Sequence, residues 1–285
     1  MIKLKQSIKN SIRRKGFIYG GGGVLFLLLL ILAYYLFFAK DVLKDMVLIP
    51  GGEFIMGVDI PKKEQGRREE ELTIDIDETP AHRVYIDGFY IDKYEVTNAE
   101  FKKFLKATER KSLLVDPVDK EASYNWNEDN YPEGQSDNPV VLVDFEGAKA
   151  CCEWKGKRLP TEDEWEKACR GDDGKKWSFG NEEVSGNANT RELNLKWSGP
   201  VGSFPKDISS YKVFDMTGNV MEWTESRYMP YPGTEMRAGF GGLDKVIRGG
   251  GWLVDIQSSR CSNRNIAPST KRHRMLGFRC AKDIR

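Results

Sequence analysis

Apolar and polar positions in this chain follow two periods, and the sharpest helical pattern lies at its centre. In DFEGAKACCEWKGKRLPTEDEWEKACRG, residues 144–171, Phe145, Ala148 and Cys152 recur at helical spacing. Asp144 is placed to cap that helix and Gly156 to end it. A second helix comes at once: Thr161 with Glu164 three residues on makes a capping box, Pro160 and Trp165 can staple it, and Gly171 closes it. Trp165, Ala168 and Cys169 share its inner face, so Cys152 and Cys169 both point inward. Upstream, Thr97 and Glu100 repeat the capping box ahead of Phe101, Phe104 and Leu105. Residues 46–50 are a short apolar strand candidate, and strand-like alternation marks GGEFIMG at 51–57, with Phe54 and Met56 on one side, then 82–92 as a single strand. Residues 140–143 and 201–204 read as two more. The stretch 109–138 has little periodicity and reads as a surface excursion.

One stretch is apolar on every face. Residues 16–39 run without a charge, and at about 1.5 Å per residue some 20 apolar residues cross a hydrocarbon core of about 30 Å. Lys3, Lys5, Lys9, Arg13, Arg14 and Lys15 precede it, whereas Lys40, Asp41, Lys44 and Asp45 cancel after it. The positive-inside rule then gives a cytoplasmic basic tail at 1–15, a transmembrane helix at 16–39, a linker at 40–45 and an extracytoplasmic domain at 46–285. That domain is periplasmic if the cell is Gram-negative. The run exceeds the roughly 7–15 residues of a cleaved signal, and Phe38-Ala39-Lys40 is a poor cleavage site, so an uncleaved single-pass anchor is expected.

Composition adds little to this picture. A chain of 285 residues, 40% hydrophobic with net charge +1, supports one sizeable domain and gives no reason to expect nucleic acid. Twenty-eight glycines and seven tryptophans point to a loop-rich α+β fold. Residues 62–71 are mostly charged and read as a solvated loop. With only His82 and His273, a two-histidine iron site is not expected.

GGEFIMG, KRLPTEDEWEKACRG, GNVMEW, RGG and GFRC, in that order between residues 46 and 283, resemble the formylglycine-generating enzyme family, also called sulfatase-modifying factors. The resemblance implies one irregular α+β domain, C-type-lectin-like, steadied by calcium and disulfides. It pairs Cys152 with Cys280 and Cys169 with Cys261, although the residues alone leave free buried thiols open. Cys151 is left over as an unpaired, partly buried thiol. The implied calcium ligands are the side chains of Asp215 and Glu222 and the carbonyls of Gly218 and Val220. A second site would use Asn189 and Thr190, with only Glu192 and Asn194 near the place of its acid. Several oxygens at about 2.3–2.6 Å suit such an ion, whereas spacing alone also permits a turn with solvated acids.

Active members of that family oxidise a substrate cysteine with oxygen, using copper held by two cysteines shortly after RGG. Counted from Arg248, those positions are Val254 and Ser259, and the serine following RGG is Gly251. Copper(I) takes thiolates, so neither residue substitutes. No copper and no formylglycine synthesis are expected. Serine, aspartate and glutamate are abundant, but no spacing singles out a catalytic set, and each reads as a surface or capping residue. The expected role is a membrane-anchored, extracytoplasmic pseudoenzyme serving as a binding or scaffold subunit of a membrane protein complex. Its partners would be other membrane or extracytoplasmic subunits, met at the old substrate groove through Trp252, Asp255, Gln257 and Arg260. The alternatives are an active oxidase of protein cysteine built on Cys261, and a calcium-dependent carbohydrate-binding module using Trp177 and Trp197 if they are exposed.

Overall fold

Side-chain caps start the three α-helices of at least nine residues among the described residues. In α1, Asn98–Thr108, the Thr97 hydroxyl accepts from the Glu100 N–H while the Glu100 carboxylate accepts from the Thr97 N–H. In α2, Phe145–Trp154, Asp144 accepts from the Gly147 N–H, and the chain leaves through Gly156 at φ 69°. In α3, Glu162–Arg170, Thr161 and Glu164 form the second capping box, and Gly171 ends it at φ 66°. Each cap satisfies donors that a helix start leaves open, so these short helices begin where the sequence places them.

The computed structural model describes residues 42–59, 76–111, 114–116, 118–120, 122–234 and 242–284, with residue 29. The expected membrane segment at 16–39 and the charged run at 62–71 lie outside the described residues, residue 29 apart. Among the described residues no helix is long and apolar enough to cross a membrane. The chain divides into two units, Met1–Lys44 and Asp45–Arg285.

The described strands of the second unit form three small sheets. β1, Met46–Ile49, pairs antiparallel with β4, Phe89–Asp92, which also pairs with β9, Ala281–Asp283. β2, Gly52–Met56, pairs with β3, His82–Ile86. β5, Met221–Arg227, lies between β6, Lys245–Arg248, and β8, Leu276–Gly277; β7, Asn265–Ala267, borders β6. The stretch expected as one strand at 82–92 is therefore two, in different sheets. Its alternation is continuous, but the backbone turns at Gly88, where a Cβ on neighbouring Gly51 would meet Gly88 N at 2.7 Å.

Two other strand expectations fail for a shared reason. Val140, Val141, Leu142 and Val143 are all buried, yet Leu142 sits at φ 64° and no ladder forms. Val140 N–H donates to Val96 O and Leu142 N–H to His273 O, so tertiary bonds replace a sheet. Residues 201–204 form a turn through Gly202 at φ 72°. Nor is 109–138 only a surface excursion: Leu114, Tyr124 and Trp126 enter the core, and Trp126 Nε1–H donates to Asn98 Oδ1 at 3.2 Å.

Two apolar cores result, each holding a disulfide. Cys152–Cys280 lies among Phe101, Phe145, Trp223 and Phe278, and Cys169–Cys261 among Ile49, Phe89, Trp165 and Met216. Both tie the helix pair α2–α3 to the last strands. α3 also closes the outer edge of β2: Lys167 donates to the carbonyls of Pro50 and Gly52, and Arg170 to those of Ile55 and Gly57.

Candidate functional site

α3 turns charge inward as well as apolar surface. Glu162 and Glu166, expected at the surface, are buried, and their partners come from distant strands. Arg248 Nη2 donates to Glu162 at 2.7 Å and to Glu166 at 2.8 Å. Its Nη1 donates to the carbonyls of Cys261, Ser262 and Asn263. Arg264 forks onto Glu162, and Arg170 and the Gly57 N–H hold Glu166. Taking ions out of water costs several kcal/mol each, so only a matched cluster of this kind survives in an interior. A second cluster joins Glu78 to Arg260, Ser262 and Asn263.

That second cluster changes the expected partner face. Arg260 is 2% exposed and committed to Glu78, so it does not present its guanidinium outward. Trp252 is also buried, with the Arg274 guanidinium 5.6 Å from its ring centroid. Asp255 and Gln257 remain partly exposed. Asp255 accepts from the Ser258 N–H at 2.8 Å and faces Arg191 at 3.5 Å, while Gln257 bridges Glu183 and Lys176. The buried Ser259 donates its hydroxyl to Asp255 O at 2.8 Å, and Val254 N–H bonds Gly251 O. Trp177 is buried with its Nε1–H on Ile256 O, so of the two tryptophans only Trp197, 47% exposed, faces outward.

A third cluster surrounds the turn at 215–220. Asp207 organises that turn, accepting from the Ser178 hydroxyl and from the N–H groups of Thr217 and Gly218. Asp215 Oδ2 accepts from the Gly202 N–H at 2.6 Å, whereas its Oδ1 is buried without a partner. Glu222 accepts from Trp165 Nε1–H at 2.9 Å and takes both arms of Arg279 at 2.7 Å. Glu95, which the sequence pattern does not single out, accepts from Asn219 Nδ2–H through Oε1 and leaves Oε2 unpartnered. Asn189 donates to Asn219 Oδ1 and leaves its own Oδ1 unpartnered, and Thr190 beside it is buried. Glu192 instead accepts from the Ile256 N–H. Burial, and then the Asp215 charge, push the Glu95 carboxyl well above the usual carboxylate range. Burial, and then Asp207, push Asp215 up to about 7. The only hint of Glu95 in the sequence is an acid set between Tyr94 and Val96, two residues before the helix cap Thr97.

The profile of the sulfatase-modifying factor enzyme 1-like domain matches residues 37–284. The chain belongs to this family. Mouse formylglycine-generating enzyme is 31% identical over 293 residues, covering 85% of this chain and 76% of its own length. Mouse inactive C-alpha-formylglycine-generating enzyme 2 is likewise 31% identical, over 282 residues, covering 83% and 85%. Hercynine oxygenase of Mycolicibacterium smegmatis is 33% identical over 275 residues, covering 84% and 61%. Among solved structures, PvdO from Pseudomonas aeruginosa superposes with a TM-score of 0.65 at 29% identity, covering 84% of this chain and 94% of its own. Relatives named for an activity and one named inactive stand at about the same identity, so the residues themselves must discriminate.

For this sulfatase-modifying-factor domain the sulfur inventory is plain. Four of five cysteines are joined in two bridges, and Cys151 is buried beneath α2, where burial pushes its thiol up to about 12. It is buried outright, more deeply than expected. At Val254 and Ser259 the domain offers a hydrocarbon and a hydroxyl already bonded to backbone, which do not fit copper(I). Calcium fits in part: Asp215 has a free buried oxygen, but both oxygens of Glu222 are already taken. No three histidine, cysteine or carboxylate side chains converge as a metal group among the described residues, so an ion here would lean on carbonyl and amide oxygens.

Proposed function

We propose that this protein is a non-catalytic member of the formylglycine-generating enzyme family, held to a membrane by residues 16–39. Outside the cytoplasm it serves as a binding or scaffold subunit of a membrane protein complex. One observation carries the non-catalytic reading: no cysteine is available as half of a copper-binding pair. Recruiting Cys261 would require opening its bridge to Cys169, in the interior beside Trp165. Cys151 sits in the other core. The relative named inactive supports the reading as a precedent. A structural calcium ion at the 215–220 turn, and less clearly at Asn189, accords with the unpartnered oxygens there. The contact face then centres on Asp255, Gln257 and the exposed Leu253.

The test uses the purified full-length protein in mild detergent. Incubated with copper, oxygen and a cysteine-containing peptide, it should leave the peptide mass unchanged, and it should carry a stoichiometric partner chain from the membrane. Conversion of the peptide cysteine to formylglycine overturns the non-catalytic reading; a lone monomer under mild extraction overturns the scaffold role.

A further inference from the structure

The near-neutral total charge of +1 conceals a basic patch. A cavity of about 370 Å³ opens where α1 ends, lined by the cations Lys102, Lys106, Arg110 and Lys111 against the carboxylates Glu109 and Asp129. That volume falls in the range of ligand sites, roughly 300–1,000 Å³. Lys106 sits in the last turn of α1, where a helix C-terminus favours a cation, but Arg110 and Lys111 lie past the Glu109 cap, beyond that effect. Lys102 Nζ donates to Asn130 Oδ1 at 2.6 Å, and the Arg110 guanidinium lies 5.7 Å from the Phe104 ring centroid, so neither is spent on a carboxylate. Lys106 and Lys111 are exposed and make no ion pair among the described residues.

An exposed tryptophan adjoins these cations. Trp154, the last residue of α2, is 44% exposed, and its ring centroid lies 5.9 Å from that of Phe104, the ring that Arg110 covers. The residues after it lead to the point where the chain enters the domain. Lys155 donates to Glu100 and stands 3.9 Å from Asp92, Lys157 donates to Asp92, and the next N–H, that of Lys93, donates to Asp45 O at 2.8 Å. Asp45 comes six residues after the charge-free run ends at 39. At about 3.6 Å per extended residue, that link reaches no further than about 22 Å. Tryptophan set among lysine and arginine suits a headgroup layer: the indole takes the boundary between acyl chains and water, and the cations take the phosphates.

We propose that this patch docks on anionic headgroups of the bilayer that residues 16–39 cross, with Trp154 at the headgroup level and a lipid phosphate in the cavity between Lys106, Arg110 and Lys111. The proposal rests on the reading of 16–39 as an uncleaved anchor. A short tether holds the patch at high effective concentration beside the lipid, so a few contacts suffice. Each Lys or Arg near an anionic surface strengthens attachment about fivefold, and salt screens it beyond about 10 Å at 0.1 M.

Full-length protein in nanodiscs of brominated phosphatidylglycerol tests it, since bromine on the acyl chains quenches a tryptophan that reaches them and none of the seven tryptophans lies in residues 1–45. Wild type should be quenched. W154F should lose that quenching, and W197F, which removes the other exposed tryptophan, should keep it. K106Q/K111Q removes two cations that pair with nothing in the domain, and its docked-to-free ratio should fall about 25-fold, about fivefold per charge. Quenching that W154F leaves unchanged, whether a protein covers Trp154 or the patch faces water, overturns the proposal, as does quenching that K106Q/K111Q leaves unchanged. Calorimetry with inorganic phosphate, on protein in phosphatidylcholine nanodiscs, separates the two sources of phosphate: tight binding there without quenching in phosphatidylglycerol assigns the cavity to a free anion and overturns the docking. Release of the protein from membranes by alkaline carbonate overturns the anchor and the docking together, whereas retained protein with W154F-insensitive quenching overturns the docking alone.

Discussion

Glu166→Gln isolates what the inward charge of α3 is worth. The substitution keeps shape and removes only the charge from a side chain whose surface is fully covered. Glu166 holds Arg170 at 2.7 Å, Arg248 at 2.8 Å and the Gly57 N–H at 2.7 Å. A glutamine has one acceptor oxygen for these three donors, and its amide N–H₂ must face a guanidinium. Removing one member of a buried ion pair costs about 3–5 kcal/mol, because the partner charge is left in the interior. For a domain of this size each kcal/mol lowers the midpoint by about 2–4 °C, so a fall of about 6–20 °C is expected in a thermal melt followed by circular dichroism. Glu53→Gln is the control, since Glu53 meets Arg83 across 3.4 Å with both side chains exposed, a contact worth under about 1 kcal/mol. If E166Q melts within about 2 °C of wild type, the cluster is not a matched ionic network and the reasoning fails.

Three further outcomes are expected. Gly250→Ala should fail to accumulate as folded protein, since a Cβ there would lie 2.0 Å from Ser259 Oγ and 2.5 Å from the Thr217 carbonyl oxygen; limited proteolysis reads it out. Iodoacetamide at pH 8 should modify no cysteine in the native protein and one, Cys151, after unfolding without reductant, because burial holds that thiol up at about 12; mass spectrometry counts the adducts. In chelator, Asp215 binds its proton more tightly folded than unfolded, with a value of about 7 against roughly 3.9. Its contribution is therefore complete below about pH 4 and lost as pH rises through 7, on the order of 4 kcal/mol. The melting point of calcium-free wild type, taken relative to D215N, should fall from pH 5 to pH 8.

What the sequence disclosed was local. Capping boxes at Thr97 and Thr161 and the cap at Asp144 act within four residues, so their signal is intact in any short window. What it concealed was distant. Glu162 and Glu166 look like the solvent face of a helix because their counter-charge, Arg248, lies 86 and 82 residues away. Glu95 was invisible for the same reason, being fixed by Asn219 at a separation of 124. Apolar runs misled in another way: 140–143 is as hydrophobic as a central strand, but burial alone makes it so, and φ at Leu142 forbids a ladder. The disulfide pairing came from the family resemblance alone, and the bridges fall where that resemblance put them.

The order in which the sulfurs leave the ribosome has its own consequence. Cys151, Cys152 and Cys169 are made first, while their proper mates Cys280 and Cys261 belong to the final 25 residues. Through most of synthesis, three nascent thiols in one helical hairpin have only one another for company. In an oxidising compartment, any Cys151–Cys169 or Cys152–Cys169 crosslink formed in that interval has to be reshuffled before the final bridges can close. A disulfide isomerase would then raise the yield, and replacing Cys151 with alanine, a smaller neighbour for the same pocket, removes one of the wrong turns.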